Sequence, residues 1–351
     1  MKISIGTNIK QGPWGGGNLF AINLKNFLEE KGHEVIHDLE DEDIDVILIT
    51  EPRKTSESSA FTHIDVRNYL DYVKKDAIVV HRFNECDERK GTNFVNKYLI
   101  NANKYSDHNV FVSKWLKELY LGQGLNNQNN VVIYAGANNE VFNSINYKKW
   151  NGDSKISFVT HHWAANWNKG FSIYTKLDEL LEDPYWKDII EFTYIGNLPK
   201  NYSFKNAKHI KPLSGHKLAK EIKKSHAYIT ASLNEPSGNH HIEAAQCGLP
   251  IMYIDSGGTP EYCKEFGEVF KEDNFENKLR SFISSYSILS DKMKNYPHSS
   301  DIMCNEYEIL FQNLVSKKEM IVASRNYTIS EGISNKIIFK LKRNINKKFK
   351  F

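Results

Sequence analysis

The chain has 351 residues, of which 40% are hydrophobic and 25% charged, and its formal net charge is +3. That length suits two domains, and that composition is ordinary for a water-soluble protein. The sequence contains no long apolar run and no charged-then-apolar leader, so we expect neither a membrane span nor a secretory signal and predict a cytoplasmic protein.

A glycine-rich loop follows the first predicted strand. The short apolar run Lys2–Gly6 indicates a strand, and Asn18 is predicted to cap a helix that ends at Gly32. The consecutive glycines Gly15, Gly16 and Gly17 precede that helix, where they let the backbone approach a ligand closely. A flexible turn is the alternative interpretation.

A polar segment follows a later strand of the first half. Residues 44–49 and 77–80 are continuous apolar runs, as expected of parallel strands buried on both faces. The segment 81–91 then falls just past the carboxyl end of a strand, where doubly wound folds place ligands. We therefore predict ligand contacts there, the alternative being a solvated loop. The candidate side chains are His81, Arg82, Asn84 and Asp87.

A second alternation of strands and helices begins after a linker at about 145–152. Residues 156–160 are predicted to form its first strand, followed by a loop at 161–171 that contains paired histidines and Lys169. Further strands are predicted at 191–197 and 208–213. This repetition predicts an α/β protein with two doubly wound domains.

One stretch of the second half predicts a ligand site most directly. A strand at 227–230 leads into a loop that carries Glu235 and Gly238, and a helix is predicted from Asn239 to Gly248. Backbone N–H groups at a helix N-terminus form an anion site, and a phosphate is its natural ligand. Glu235 and Glu243 would flank that phosphate and accept hydrogen bonds from sugar hydroxyls. The pattern therefore predicts a nucleotide-sugar site.

The spacing of Glu235 and Glu243 resembles the E-x7-E signature of retaining glycosyltransferases of family GT4, which have the GT-B fold. The turn Ser256–Glu261 is similar to that family's G-G-x-P-E turn. The resemblance implies that Glu235 contacts the donor sugar and Glu243 the ribose. It also implies retention of anomeric configuration without a metal ion, with the departing phosphate oxygen taking the proton of the acceptor.

The resemblance extends to further site residues. It implies that Gly16 and Gly17 border the donor phosphates and that Lys169, with His162 at the preceding basic position, faces the pyrophosphate. Glu235 and Lys169 are the expected catalytic residues, and His81, Arg82 and Asn84 face the acceptor. The segment ending at Leu213 is expected to hold the nucleobase through its main chain. The remaining expected donor contacts, chiefly through backbone amides, are Ser237, Gly238, Asn239 and His240.

On this basis we expect a GT-B enzyme with two Rossmann-like domains facing a central cleft. Residues 1–148 would form the acceptor-side domain, residues 149–300 the donor domain, and residues 301–330 a helix crossing back to the first domain. The expected function is sugar transfer from a nucleotide-sugar to a saccharide or lipid-linked saccharide acceptor, in bacterial cell-surface polysaccharide synthesis. No cofactor is expected.

Two other functions remain open from the sequence. A nucleotide-sugar epimerase of the same fold would share the phosphate site but would need acid and base carboxylates that the sequence does not place. A non-catalytic nucleotide-sugar-binding protein would explain a histidine at position 162 where the family has a basic residue. A glycoside hydrolase is less favoured, because eight positions on a helix rise about 12 Å, more than its carboxyl pair needs.

Metal and nucleic-acid sites are weakly indicated. The four cysteines are scattered without Cys-x-x-Cys spacing, so we expect them to be reduced. The paired histidines at 161–162 and 240–241 have no third ligand near them in sequence, and we predict no metal site. Nucleic-acid binding would rest on the C-terminal tail alone, and we expect none.

The tail, residues 331–351, is predicted to be a basic amphipathic helix. From residue 336 to the end it carries seven Lys or Arg and no acid, and apolar residues recur at helical spacing from Ile333. Such a helix suits an anionic membrane surface, which would make the enzyme peripheral on the inner face of the membrane. The alternative is a solvated basic tail.

Overall fold

A computed structural model describes residues 1–10, 15–126, 128–325 and 339. Within these residues the chain forms two six-stranded parallel sheets, one in each half. The predicted class, α/β with two Rossmann-like domains, is confirmed.

The strands are short and largely buried, as parallel strands covered on both faces should be. The first sheet contains β1 (Lys2–Ile5), β2 (Glu34–Ile36), β3 (Val46–Ile49), β4 (Ile78–Phe83), β5 (His108–Phe111) and β6 (Asn130–Val132). The second contains β7 (Ile156–His162), β8 (Ile190–Gly196), β9 (Lys208–Ile210), β10 (Ala227–Thr230), β11 (Ile251–Ile254) and β12 (Gly267–Phe270).

Helices connect the strands and cover both faces of the sheets. Those of the first half are α1 (Gly16–Glu30), α2 (His63–Tyr72), α3 (Asp87–Lys90), α4 (Val95–Ala102) and α5 (Lys114–Gly122). Those of the second half are α6 (Phe171–Leu180), α7 (Gly215–Ile222), α8 (Asn239–Gln246), α9 (Thr259–Cys263), α10 (Phe275–Lys292), α11 (Ser300–Ser316) and α12 (Lys318–Ala323).

The strand order identifies where each sheet can bind a ligand. It is β2-β1-β3-β4-β5-β6 in the first sheet and β12-β11-β10-β7-β8-β9 in the second. In the second sheet the direction of winding reverses between β7 and β10. Ligands of open parallel sheets bind at the carboxyl ends of the strands beside such a reversal, so the loops after β7 and β10 are the expected site.

The chain returns to the first domain after α10. Helix α11 packs on α1, where Met303, Tyr307 and Phe311 share a buried core with Phe20 and Leu24. The apolar face of α11 explains this packing.

The described part of the C-terminus stays with the first domain. Arg325 forms a buried ion pair with Asp107 at 2.7 Å, and the ring of Phe339 lies 5.4 Å from that of Tyr72. Apart from Phe339, the residues of the predicted basic tail lie outside the described part of the chain. Among the described residues, no helix is long and apolar enough to cross a membrane.

Two predicted boundaries in the first domain were wrong. Asn18 does not cap α1, which begins at Gly16 with Gly15 at its N-cap. Instead Asn18 lies in the first turn of the helix. Its Oδ1 accepts a hydrogen bond of 2.8 Å from the backbone N–H of Lys10, and its Nδ2 donates one of 2.9 Å to the carbonyl of Lys10. Strand β4 continues to Phe83, three residues beyond the predicted end, so His81 and Arg82 are strand residues on opposite faces.

Candidate active site

A cleft of about 1000 Å³ separates the two sheets at their carboxyl ends. Both domains line it, and the loops after β7 and β10 contribute the second domain's part. Of the predicted donor residues, Gly16, Gly17, His162, Leu213 and Ser237 to His240 all reach the cleft, as do Lys169, Glu235 and Glu243.

The loop that carries Glu235 is held by the turn at Ser256–Glu261. The hydroxyl of Ser256 accepts a hydrogen bond of 2.9 Å from the backbone N–H of Asn234. Gly258 donates its N–H to the carbonyl of Glu235 at 2.8 Å. Gly257 has a φ of +63°, and a Cβ there would lie 2.6 Å from that same carbonyl. The paired glycines therefore let two loops meet and fix Glu235 at the cleft.

The carboxylate of Glu235 is buried between two cations. One oxygen accepts from Lys169 Nζ, and the other accepts from Arg89 Nε at 3.0 Å. Burial alone would raise the pKa of Glu235, but the charges of Lys169 and Arg89 outweigh it and lower that pKa to about 2. Glu235 is thus ionised, and it can only accept hydrogen bonds.

Lys169 owes its position to a tight turn that only glycine permits. It ends a 3₁₀ turn, Trp167–Lys169, and Gly170 follows with a φ of +99°. A Cβ on Gly170 would lie 2.5 Å from the Cβ of Ala231, at the end of β10. The Lys-Gly pair thus brings the ammonium from the loop after β7 to a carboxylate in the loop after β10.

Arg89 links Glu235 to a charge network in the first domain. Its guanidinium also contacts Glu85 at 2.9 Å, and Glu85 contacts Arg53 at 2.8 Å and Lys90 at 2.6 Å. Burial would raise the pKa of Glu85, but these cations, Lys90 foremost, lower it. A chain of alternating charges therefore crosses the cleft from Arg53 to Lys169.

The N-terminus of α8 faces the glycine loop of the first domain. Gly238 precedes the helix with a φ of +80°. A Cβ on Gly16 would lie 2.8 Å from Asn239 Nδ2, so the two predicted phosphate-binding segments are in contact. The free N–H groups of the first turn of α8 thus open into a narrow gap where an anion is favoured.

Glu243 is positioned by a histidine from the facing strand. His161 Nε2 donates to Glu243 Oε2 at 2.9 Å, and the backbone N–H of His161 bonds the hydroxyl of Tyr228 at 3.0 Å. Both side chains are buried at the cleft wall. The hydrogen bond from His161 fixes the Glu243 carboxylate through Oε2 and does not involve its other oxygen, Oε1.

His162 and His240 bring no positive charge to the site. Burial lowers the pKa of both well below the ordinary histidine value. His162 Nε2 lies 2.8 Å from the hydroxyl of Tyr174, and His240 Nε2 lies 2.8 Å from that of Thr230. His162 therefore lines the cleft as a neutral ring, not as the basic residue that the resemblance implies at this position.

The residues predicted on the acceptor side divide between two environments. Arg82 and Asn84 line the cleft. His81 lies on the opposite face of β4, fully buried, with Nδ1 3.3 Å from the amide of Asn103, and burial lowers its pKa to about 3. Asp87 does not face the cleft either, because its carboxylate accepts the N–H groups of Val95 and Asn96 at the start of α4.

Sequence reasoning missed Arg89 and His161 as partners of the two glutamates. Arg89 lay within the polar segment 81–91 and four residues after Glu85, which was a usable signal for a helical ion pair. The sequence gives no basis for choosing His161 over its neighbour His162 as the partner of Glu243, because that choice depends on strand β7 continuing through both residues. Within the described residues, no group of three or more His, Cys, Asp or Glu side chains is arranged to hold a metal ion.

The family comparison covers the larger, C-terminal part of the second domain. Residues 194–298 match the family model described as glycosyl transferases group 1. The matched segment contains both glutamates and the turn at Ser256–Glu261. A search of curated proteins returned no significant match.

Solved glycosyltransferases share the architecture. A glycosyltransferase from Rickettsia africae superposes with a TM-score of 0.64 at 14% identity, covering 90% of this chain and 98% of that one. A lipopolysaccharide outer core galactosyltransferase gives 0.61 at 13% identity, with 89% and 100% covered. An α-glucosyltransferase solved with UDP-glucose and DNA gives 0.56 at 14% identity, with 90% and 100% covered. The fold is GT-B.

The GT-B fold accounts for the placement of the site. Its two Rossmann-like domains turn the carboxyl ends of their sheets toward one cleft, and the predicted fold is confirmed in this respect. The contacts between the domains are specific: Glu261 of the second domain accepts the N–H groups of Lys114 and Trp115 at 2.8 and 2.7 Å. The turn that supports Glu235 therefore also caps helix α5 of the first domain.

Proposed function

We propose that this protein is a retaining glycosyltransferase of the GT4 type that transfers a sugar from a nucleotide-diphosphate sugar to a saccharide or lipid-linked saccharide. The observation that carries the proposal is the ionised carboxylate of Glu235, buried between Lys169 and Arg89 at the N-terminus of α8. A carboxylate that can only accept hydrogen bonds suits sugar hydroxyls, and the adjoining cation and helix terminus suit a diphosphate.

The donor diphosphate would occupy the gap between the glycine loop and α8. Gly16 and Gly17 lack side chains there, so the diphosphate can reach the backbone N–H groups of residues 238–240. Lys169 would contact it from the other side. These groups of the protein, and not a divalent metal ion, would neutralise the charge of the diphosphate.

The two glutamates would recognise the two sugars of the donor. Glu235 would accept hydrogen bonds from hydroxyls of the transferred sugar, and Glu243 from those of the ribose. His161, which donates to one oxygen of Glu243, leaves the other oxygen for that contact. The base would lie along the segment ending at Leu213, held by its main chain.

The chemistry would depend on stabilising the leaving group. As the bond between the sugar and the phosphate breaks, negative charge grows on the diphosphate, and the ammonium of Lys169 and the dipole of α8 oppose it. An acceptor hydroxyl would approach from the side of the leaving group, whose phosphate oxygen takes the proton. Loss of one such contact typically raises the barrier by about 3 kcal/mol.

The acceptor would enter from the first domain, past Asn84 and Arg82. A role in bacterial cell-surface polysaccharide synthesis, at the inner face of the membrane, would follow if residues 333–351 bind anionic lipid. Vesicle sedimentation of the full chain and of a chain ending at residue 332 tests that part.

The donor site is tested by thermal stabilisation with nucleoside diphosphates and nucleotide-sugars, with and without EDTA. We expect one nucleotide to raise the melting temperature, EDTA to leave that shift unchanged, and Glu243→Ala to reduce it. Glu272→Ala, an exposed carboxylate of the same domain, is the matched control. Absence of a shift with every nucleotide would contradict the proposal, and a shift lost with EDTA would contradict its metal-free form.

The reaction is then tested with the donor so found, by following transfer to saccharides and determining the anomeric configuration of the product. A retained configuration is expected. An inverted product, or epimerised sugar without transfer, would overturn the mechanism while leaving the nucleotide site in place.

A further inference from the structure

Arg82 is a buried cation that has no carboxylate partner among the described residues. Only 5% of the residue is exposed, and its Nε has no hydrogen-bond partner. The ion pairs of the described residues include none to Arg82, and residues 11–14 contain no acid. A guanidinium keeps its charge, so this charge is buried without a carboxylate partner in the part of the chain that the structure describes.

The surroundings of Arg82 are aromatic and neutral. Its guanidinium carbon lies 3.8 Å from the ring centroid of Phe20 on α1. Tyr307 on α11 is a second neighbour, and its hydroxyl lies within hydrogen-bond reach of the guanidinium. Burial raises the pKa of that phenol, which stays neutral. A cation on an aromatic face is partly stabilised, but no carboxylate from residues 1–10, 15–126 or 128–325 forms an ion pair with it.

The cations near Glu85 and Glu235 differ from Arg82, because each of them has a carboxylate partner. Arg53 contacts Glu51 and Glu85, Arg89 contacts Glu85 and Glu235, and Lys169 contacts Glu235. Arg82 lines the same cleft together with Asn84, two residues further along the chain. An unpaired guanidinium that reaches a cleft is a site for a planar oxyanion, which its parallel N–H groups bind in pairs.

We infer that Arg82 binds an acid group, a carboxylate or a phosphate, on the acceptor. The inference rests on the proposed function and specifies its substrate class: an anionic saccharide, with Asn84 as the neighbouring amide donor. We assign Arg82 to the acceptor and not to the donor because it belongs to β4 of the first domain and packs between α1 and α11. The groups that suit the donor diphosphate, Lys169 and the N-terminus of α8, belong to the second domain.

The experiment compares matched neutral and acidic acceptors, such as glucosides, glucuronides and glucose phosphate esters, in the presence of the identified donor. Both the rate of transfer and the thermal shift of the nucleotide-loaded protein are measured for wild type, Arg82→Gln, Arg82→Lys and Arg67→Gln. Arg67 is a matched control, since it lies on α2 outside the cleft and pairs with Asp71 on the same helix.

We expect the wild type to prefer acidic acceptors. Arg82→Gln should lower kcat/KM for them by about 10- to 100-fold, the usual effect of one charge-assisted hydrogen bond. Neutral acceptors should lose much less than acidic ones, and binding of the nucleoside diphosphate should not weaken. Arg82→Lys should recover part of the loss, and Arg67→Gln should behave as wild type. The carboxylate and phosphate arms identify which acid is bound.

Three outcomes would overturn the inference. The first is that no acidic acceptor binds or reacts better than its neutral counterpart. The second is an equal loss for both classes in Arg82→Gln together with a lower melting temperature, as expected of a structural arginine. The third is a loss of nucleotide affinity, which would assign Arg82 to the donor. In each case donor hydrolysis by the wild type shows whether the proposed transferase function itself still holds.

Discussion

Arg89 Nε donates a hydrogen bond of 3.0 Å to Glu235 Oε2, although Arg89 belongs to the first domain and Glu235 to the second. The second oxygen of that carboxylate is occupied by Lys169. Closure of the cleft and ionisation of Glu235 are therefore coupled: the contact that joins the domains also supplies half of the positive charge that keeps the carboxylate ionised.

Replacing Arg89 by Gln should lower kcat/KM by about 10- to 100-fold, because a charge-assisted contact to a buried carboxylate is worth roughly 1.5 to 3 kcal/mol. Steady-state transfer rates measure this. Arg280→Gln, which removes a guanidinium that pairs with Glu276 on α10 and lies over the rings of Tyr185 and Trp186, away from the cleft, should remain as active as wild type. Equal activity of Arg89→Gln and wild type would show that Lys169 alone positions Glu235.

The sequence predicted the centre of this site better than its edges. Glu235, Lys169 and the start of α8 at Asn239 follow from local signals: a helix N-terminus, a Lys-Gly pair and two glutamates at a set spacing. Their partners do not, because Arg89 lies 146 residues from Glu235 along the chain. Which distant charge completes a buried pair depends on how two domains dock, and no local pattern encodes that.

His81 and Asp87, which were predicted to contact a ligand and lie away from the cleft, show that local sequence also fails to fix which way a side chain points. His81 and Arg82 are adjacent and both polar, so composition cannot separate them. Once β4 includes both, the alternation of a strand sends Arg82 to the cleft and His81 into the core. Asp87 is likewise polar and near the site, but it serves the backbone at the start of α4.

The low pKa of Glu235 predicts how acid acts on the protein. The folded-state pKa is lowered from 4.5 to about 2, so the stabilisation is fully present above pH 4.5 and is lost as the pH falls toward 2. It amounts to about 3 kcal/mol, since one pKa unit corresponds to about 1.4 kcal/mol. In Lys169→Met the main cause of the lowered pKa is removed and Arg89 is the principal charge left, so less of the stabilisation should depend on pH.

Melting temperatures at pH 6.5 and pH 3 measure this effect. Lys169→Met should melt below wild type at pH 6.5, and the gap should narrow at pH 3, where Glu235 of the unfolded chain is already protonated and much of the stabilisation by the ion pair is gone. Lys264→Met, which replaces an exposed lysine, should show no gap at either pH. A gap that stays constant with pH would mean that the loss arises from packing and not from charge.

Gly16 should be needed for donor binding and not for folding. A Cβ there would lie 2.8 Å from the Asn239 side chain, so Gly16→Ala should narrow the gap at the N-terminus of α8 and raise the KM for the donor about tenfold. The melting temperature should hold or rise, because alanine favours a helix more than glycine does. Gly15→Ala is the control, since its Cβ would meet nothing within 4 Å. Equal KM values for the two variants would argue against a diphosphate in this gap.

Glu261 should hold the domains together through the first turn of α5. Its carboxylate accepts the N–H groups of Lys114 and Trp115 and the hydroxyl of Tyr134, the last at 3.0 Å. Glu261→Ala leaves those donors without their acceptor, which should destabilise the protein by about 1 to 2 kcal/mol. Glu265→Ala, an exposed carboxylate just beyond α9, should leave stability unchanged.

Hydrogen exchange at Lys114 and Trp115 distinguishes loss of a helix cap from loss of domain docking. If Glu261 acts at the interface, its removal should speed exchange at these two amides and also near Glu235, because the turn at Ser256–Gly258 supports the Glu235 loop. Transfer activity should then fall together with the stability. Faster exchange confined to α5, with wild-type activity, would show that the cap stabilises one helix and that the site depends on Arg89 for its contact across the cleft.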